Sequence, residues 1–120
     1  MAYIPRAQWG AGAMTRPAIG RSRRTGVAVH YGAGSTPTTA AGEMAMVRSY
    51  DAYHRSLGWG GIGYNLLVGP VTGNIYEGCG LDIQGAHAGG HNTPLIGICA
   101  SGVLACNAFV YRLFACKKFT

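Results

Sequence analysis

Four histidines are the residues of this 120-residue chain best suited to chemistry near neutral pH: His30, His54, His87 and His91. Imidazole changes charge close to pH 7, acts as acid or base, and ligates zinc when neutral. His87 and His91 lie four apart, the spacing of paired ligands on a helix. Gly85, Gly89 and Gly90 argue against a helix there, and so against a metal pair. The four cysteines, Cys79, Cys99, Cys106 and Cys116, show no Cys-x-x-Cys spacing and are expected as free thiols. There is no Gly-x-Ser-x-Gly elbow, phosphate-binding loop or dinucleotide fingerprint, which excludes those routes to catalysis.

The elements that would hold these side chains can be read from the pattern around them. Thr25 to Tyr31 predicts a short strand with His30 near its C-terminal end, where α/β sheets often carry reactive groups. Thr36-Pro37 supplies a cap and a first-turn proline. Met44, Val47, Tyr50, His54 and Leu57 then recur at helical spacing, predicting an amphipathic helix that Gly58 stops. His54 falls on its apolar face and reads as a packed structural histidine. Ile62 to Val68 and Asn74 to Glu77 predict two strands of a hairpin about a Gly69–Gly73 turn. A glycine- and histidine-rich loop follows from Leu81 to Pro94, then a strand from Leu95 to Cys99. Residues 1–24 read as an irregular, solvated arm carrying Arg16, Arg21, Arg23 and Arg24.

The length suits one mixed α/β domain, and no apolar run reaches the roughly 20 residues of a membrane-spanning helix. The start lacks the layout of a secretory signal, which predicts synthesis in the cytoplasm. A formal charge of +6 favours anionic partners, but the arginine cluster lacks an interleaved aromatic platform, so nucleic acid is not expected. Composition changes near Cys99. The first 116 residues hold eight Arg and no Lys, whereas Lys117, Lys118 and all three Phe lie in the last twelve.

Six segments, read in order, resemble one family. They are Ile4-Pro-Arg-Ala-Gln-Trp-Gly-Ala11, Val27-Ala-Val-His-Tyr31, Trp59-Gly-Gly-Ile-Gly-Tyr-Asn-Leu-Leu-Val-Gly69, Gly73-Asn-Ile-Tyr-Glu-Gly78, Gly85-Ala-His-Ala-Gly-Gly-His-Asn92 and Ile96-Gly-Ile-Cys99. Together they are similar to the zinc-dependent N-acetylmuramoyl-L-alanine amidases, a fold shared by phage lysins, bacterial amidases and animal peptidoglycan recognition proteins. The resemblance implies an α/β domain with a central mixed β-sheet flanked by helices. It also implies a zinc ion whose bound water cleaves the amide between muramic acid and L-alanine. His30 falls on the first zinc ligand and Tyr64 on the tyrosine that assists the metal-bound water. His87 and Asn92 fall on the loop lining the muropeptide groove. Cys79 stands where Glu-Gly-Arg-Gly is usual, which predicts the loss of one groove-side charge.

The resemblance spans about residues 4–100 and implies an amidase-like domain over residues 1–100 that is incomplete at its C-terminus, and residues 101–120 read as an aberrant tail. The family's two late zinc ligands, in Gly-His-Arg-Asp and Cys-Pro-Gly segments, have no counterpart, and no histidine follows His91. Zinc is therefore expected of the family but not held in its manner by this chain. The leading expectation is a peptidoglycan hydrolase of the cell-wall amidase type, resembling a phage or prophage endolysin and acting as a monomer on bacterial peptidoglycan. The alternative is a non-catalytic peptidoglycan-binding module.

Overall fold

The computed structural model describes residues 1–32 and 35–101. The expected tail and its cysteines, Cys106 and Cys116, therefore lie outside the described residues. Among the described residues five strands form one sheet: β1 (Tyr3–Ile4), β2 (Gly26–Tyr31), β3 (Leu66–Val68), β4 (Ile75–Glu77) and β5 (Leu95–Ala100). Their spatial order is β1-β4-β3-β5-β2. The β3–β4 pair is the antiparallel hairpin read from the sequence, and every other pairing is parallel, so the sheet is mixed. In β2 and β5 the register sets Gly26 opposite Leu95 and His30 opposite Cys99. With alternate residues on opposite faces, Gly26, Ala28 and His30 share a face with Leu95, Gly97 and Cys99.

The α-helices among the described residues are α1 (Arg6–Trp9) and α2 (Ala40–Ser56). α2 starts later than Thr36-Pro37. Its cap is Thr39, whose Oγ1 accepts the Gly42 N–H at 3.0 Å. It ends as expected, with Gly58 at φ 80° just beyond it, where a side chain would be strained. Ile4, Trp9, Val47, Ile62, Leu67, Tyr76, Cys79 and Cys99 form the buried core.

Two readings of the sequence need correction. The strand expected over Ile62–Val68 begins only at Leu66, because the preceding Gly60 and Gly61 adopt positive φ and the chain there bonds to α2 instead. Residues 1–24 are no solvated arm either. β1 pairs with β4, Trp9 is buried, and its indole donates to the Glu77 carbonyl at 2.8 Å. Arg16 donates to the carbonyls of Trp59, Gly61, Ile62 and Gln84. Arg24 donates to those of Leu81, Ile83, Asn92, Thr93 and Leu95. A guanidinium has five N–H donors in a fixed fork, so each arginine gathers loop carbonyls that strands would otherwise satisfy.

The hairpin is fastened to α2 by one fully buried carboxylate. Glu43 accepts from Val71 N at 2.6 Å, Thr72 N at 3.0 Å, Thr72 Oγ1 at 2.5 Å and Tyr76 Oη at 2.7 Å. A Cβ at Gly69 would collide with that carboxylate. Burial alone would raise its pKa, but the bonds from Thr72, Tyr76 and Val71 outweigh burial and hold it below the ordinary value. Its stabilisation is thus present above the unfolded-state pKa of about 4.3 and is lost as pH falls through the folded value. Replacing Glu43 with Gln turns amide hydrogens toward existing donors. The urea midpoint of Glu43→Gln is expected to fall by the equivalent of about 2–4 kcal/mol at pH 7, and a change under about 0.5 kcal/mol would contradict this role.

Candidate functional site

His30 lies on β2, the edge strand among the described residues, with Gly97 and Cys99 of β5 on the same face. Gly97 makes room for a second imidazole, since a Cβ there would run into the ring of His87. His87 Nδ1 lies 2.9 Å from His30 Nε2, and its Nε2 lies 3.2 Å from the Leu95 carbonyl oxygen. The two rings meet edge-on, with centroids 4.9 Å apart. The loop carrying His87 is tied by Asn92, whose Oδ1 accepts the N–H groups of His87 at 2.9 Å and Ala88 at 2.8 Å. Asn92 thus acts on backbone, and both ring nitrogens of His87 have protein partners.

Tyr64, just before β3, brings the histidine pair and α2 together. Its ring lies 5.7 Å from His30, 5.5 Å from His54 and 6.3 Å from Tyr50. Tyr64, His54, Tyr50, Tyr53 and Ser49 line an open cavity of about 400 Å³. His54 is buried, as its position on the helix predicts. Its Nδ1 accepts the Gly63 N–H at 2.8 Å, and its ring stacks at a tilt on Trp59 with centroids 4.6 Å apart.

Burial pushes the pKa values of His30, His54 and His87 below the ordinary imidazole value. The positive charge of Arg16 adds to this at His54 and His87, while the Leu95 carbonyl opposes it at His87. Burial also pushes the Tyr64 phenol strongly upward, with Cys99 and Tyr50 adding to the effect. At neutral pH the site therefore presents neutral imidazoles and an intact phenol. These groups suit hydrogen bonding to amides and hydroxyls, and the rings suit apolar contact with a sugar or peptide.

A catalytic zinc site takes three protein ligands and keeps one open position. Among the described residues no three His, Cys, Asp or Glu side chains come together to hold an ion. His30 and His87 are two, and each directs a ring nitrogen at the other. The described residues alone do not fit a catalytic zinc ion. Cys79 is buried in the core, where its Sγ accepts from Asn65 Nδ2 at 3.3 Å.

Sequence reasoning passed over Asn65, which is fully buried and joins three segments. Its Oδ1 accepts the Gly97 N–H at 2.7 Å, and its Nδ2 donates to the carbonyls of Gly80 at 2.8 Å and Ile83 at 3.0 Å. Its place within the Gly-Tyr-Asn segment was a usable signal. Tyr50 and Tyr53 were hidden because aromatic residues at helical spacing read equally well as core.

Protonating His54 would destroy its acceptor for Gly63, so the unfolded chain takes up that proton first. Stability is then full above pH 6.5, the ordinary histidine value, and declines as pH falls below it. An NMR titration is expected to place the His54 midpoint below 6.5. A midpoint at or above the ordinary value would contradict the geometry.

No family model matches the chain. Peptidoglycan-recognition protein SC1a/b of Drosophila simulans is 43% identical over 97 residues, 79% of this chain and 51% of that protein. The human N-acetylmuramoyl-L-alanine amidase is 36% identical over 105 residues, 84% of this chain and 18% of that protein. The chain spans about half the length of the curated recognition proteins from Drosophila that it matches. Among solved structures, human PGRP-IβC in complex with glycosamyl muramyl pentapeptide has a TM-score of 0.77 and 28% identity, covering 95% of this chain and 73% of that one. These are animal proteins, which overturns the expectation of a cytoplasmically made phage or prophage lysin. The ectodomain complex of peptidoglycan recognition proteins LCa and LCx with bound tracheal cytotoxin has a TM-score of 0.77 and 30% identity, covering all of this chain and 80% of that one. On that coverage and identity, the chain belongs to the peptidoglycan recognition protein and N-acetylmuramoyl-L-alanine amidase family.

Proposed function

We propose that this chain recognises peptidoglycan, as a monomer, taking the junction of muramic acid and stem peptide into the groove between α2 and the sheet. The observation that carries this reading is the cavity of about 400 Å³ lined by Tyr50, Tyr53, His54 and Tyr64, with the His30 ring 5.7 Å from that of Tyr64. Its aromatic walls suit the apolar faces of a sugar and a short peptide, and its phenols and neutral imidazoles suit amide groups. The net charge of +6 adds long-range attraction to anionic wall polymers. A muramyl pentapeptide bound to a structural neighbour of the same fold supports the ligand class.

A second reading is hydrolysis of the N-acetylmuramoyl–L-alanine amide, supported by the 36% identity to the human amidase. When bound, zinc would supply a water of lowered pKa for that reaction. The described residues provide too few ligands for it, which is why recognition is the activity proposed here.

Sedimentation with insoluble peptidoglycan, a zinc assay by mass spectrometry and detection of new L-alanine N-termini separate the two. Recognition predicts wall binding without stoichiometric zinc or new termini, and about tenfold weaker binding for Tyr64→Ala, equivalent to about 1.4 kcal/mol. Stoichiometric zinc with amide cleavage that disappears in His30→Ala would establish hydrolysis instead. Absence of wall binding would overturn recognition.

A further inference from the structure

We infer that His87 is a positioning residue. It holds His30 by accepting a hydrogen bond from His30 Nε2–H, which leaves His30 Nδ1 as the acceptor that takes an N–H or O–H donor of the ligand.

The assignment follows from the only atom in the chain of contacts that carries no choice. The Leu95 carbonyl oxygen can only accept, so His87 Nε2, 3.2 Å away, must carry a proton. A neutral imidazole has one N–H, so His87 Nδ1 is an acceptor. Its partner at 2.9 Å, His30 Nε2, must then be the donor. Neutral His30 consequently has its lone pair on Nδ1. The opposite tautomer would set two lone pairs against each other at hydrogen-bond distance. Burial, which disfavours the charged form of both rings, is consistent with a neutral pair.

The seat of His87 is built rather than incidental. A Cβ on Gly97 or Gly85 would enter its ring, and Asn92 ties its backbone N–H. With one nitrogen on Leu95 and the other on His30, the ring of His87 has no nitrogen left for a ligand. It acts on the groove through His30. The donor class follows from the lone pair: an amide N–H, such as the N-acetyl or peptide N–H groups of a muramyl peptide, or a sugar hydroxyl.

Two measurements test this on the full chain. In nitrogen-15 NMR near neutral pH, a scalar coupling across the hydrogen bond should join His30 Nε2 to His87 Nδ1, with the proton on His30. A His30 ring protonated on Nδ1, or a proton residing on His87 Nδ1, would overturn the assignment. That arm uses the unaltered chain, so it needs no variant to fold.

The second measurement is a double-mutant cycle on affinity for a soluble muramyl dipeptide, and it rests on the peptidoglycan reading above. Asn carries an oxygen on Cγ where His carries Nδ1, so His87→Asn preserves the acceptor, whereas Gln displaces its amide by one carbon. His87→Asn is expected to bind within about twofold of the unaltered chain, and His87→Gln about tenfold more weakly. In a His30→Ala background, His87→Gln should cause no further loss. Equal additive losses in both backgrounds would mean that His87 touches the ligand directly and would overturn the positioning role. If the dipeptide does not bind the unaltered chain, the peptidoglycan reading fails and the inferred ligand class fails with it. The coupling then decides the His30–His87 assignment by itself.

Discussion

The Asn65 side chain is the constraint on which the site depends. It bridges β5, through the Gly97 N–H, to the Gly80–Ile83 segment, while the Asn65 backbone also bonds to Gly97, Gly78 and Gly80. An amide has donors and acceptors on one small group, so it can satisfy a backbone N–H and two backbone carbonyls at once in a buried position. Fixing Gly97 fixes the bare patch of strand on which His87 rests. The histidine pair is thus downstream of Asn65, and Tyr64, which lines the cavity, is its neighbour in the chain. The arrangement makes the glycines here requirements of packing, since Gly63 and Gly78 approach backbone too closely for a Cβ and a Cβ at Gly85 would meet the His87 ring.

Cationic charge in this fold is used in an unexpected way. The chain carries ten basic residues, yet Arg16 and Arg24 turn inward and bind the carbonyls of irregular loops. Long glycine-rich loops leave many carbonyls without strand or helix partners, and each unmet group would cost on the order of 1–3 kcal/mol when buried. Two arginines therefore substitute for regular secondary structure around the groove. The exposed pair of Arg21 with Asp82, by contrast, is solvated on both sides and adds little.

What was legible in the sequence was whatever local patterning controls. β2, α2, the β3–β4 hairpin and β5 follow from alternation, helical spacing and glycine-bearing turns, and the mixed α/β sheet follows from the order of the motifs. β1 and α1 were not legible. A two-residue strand and a one-turn helix have almost no intrinsic stability and exist because Trp9 and β4 hold them. The helix start is not encoded locally, because Ser35, Thr36, Thr38 and Thr39 are all chemically able caps, and only tertiary placement selects Thr39. His30 and Tyr64 were singled out in the sequence and lie side by side in the fold. The contact of His30 with His87 joins residues 57 apart through a gap made by Gly97, and no periodicity encodes such a contact.

The central claim is that the groove between α2 and the sheet is where a muramyl peptide is recognised. Mapping amide and aromatic shifts while titrating a soluble muramyl pentapeptide tests it most directly. The account predicts perturbations concentrated on Tyr53, His54, Tyr64 and His30, with the buried anchor Glu43 and its hairpin unmoved. Perturbations centred instead on the cleft formed by Tyr3, Arg6 and Cys79, or no perturbation at saturating ligand, would contradict it.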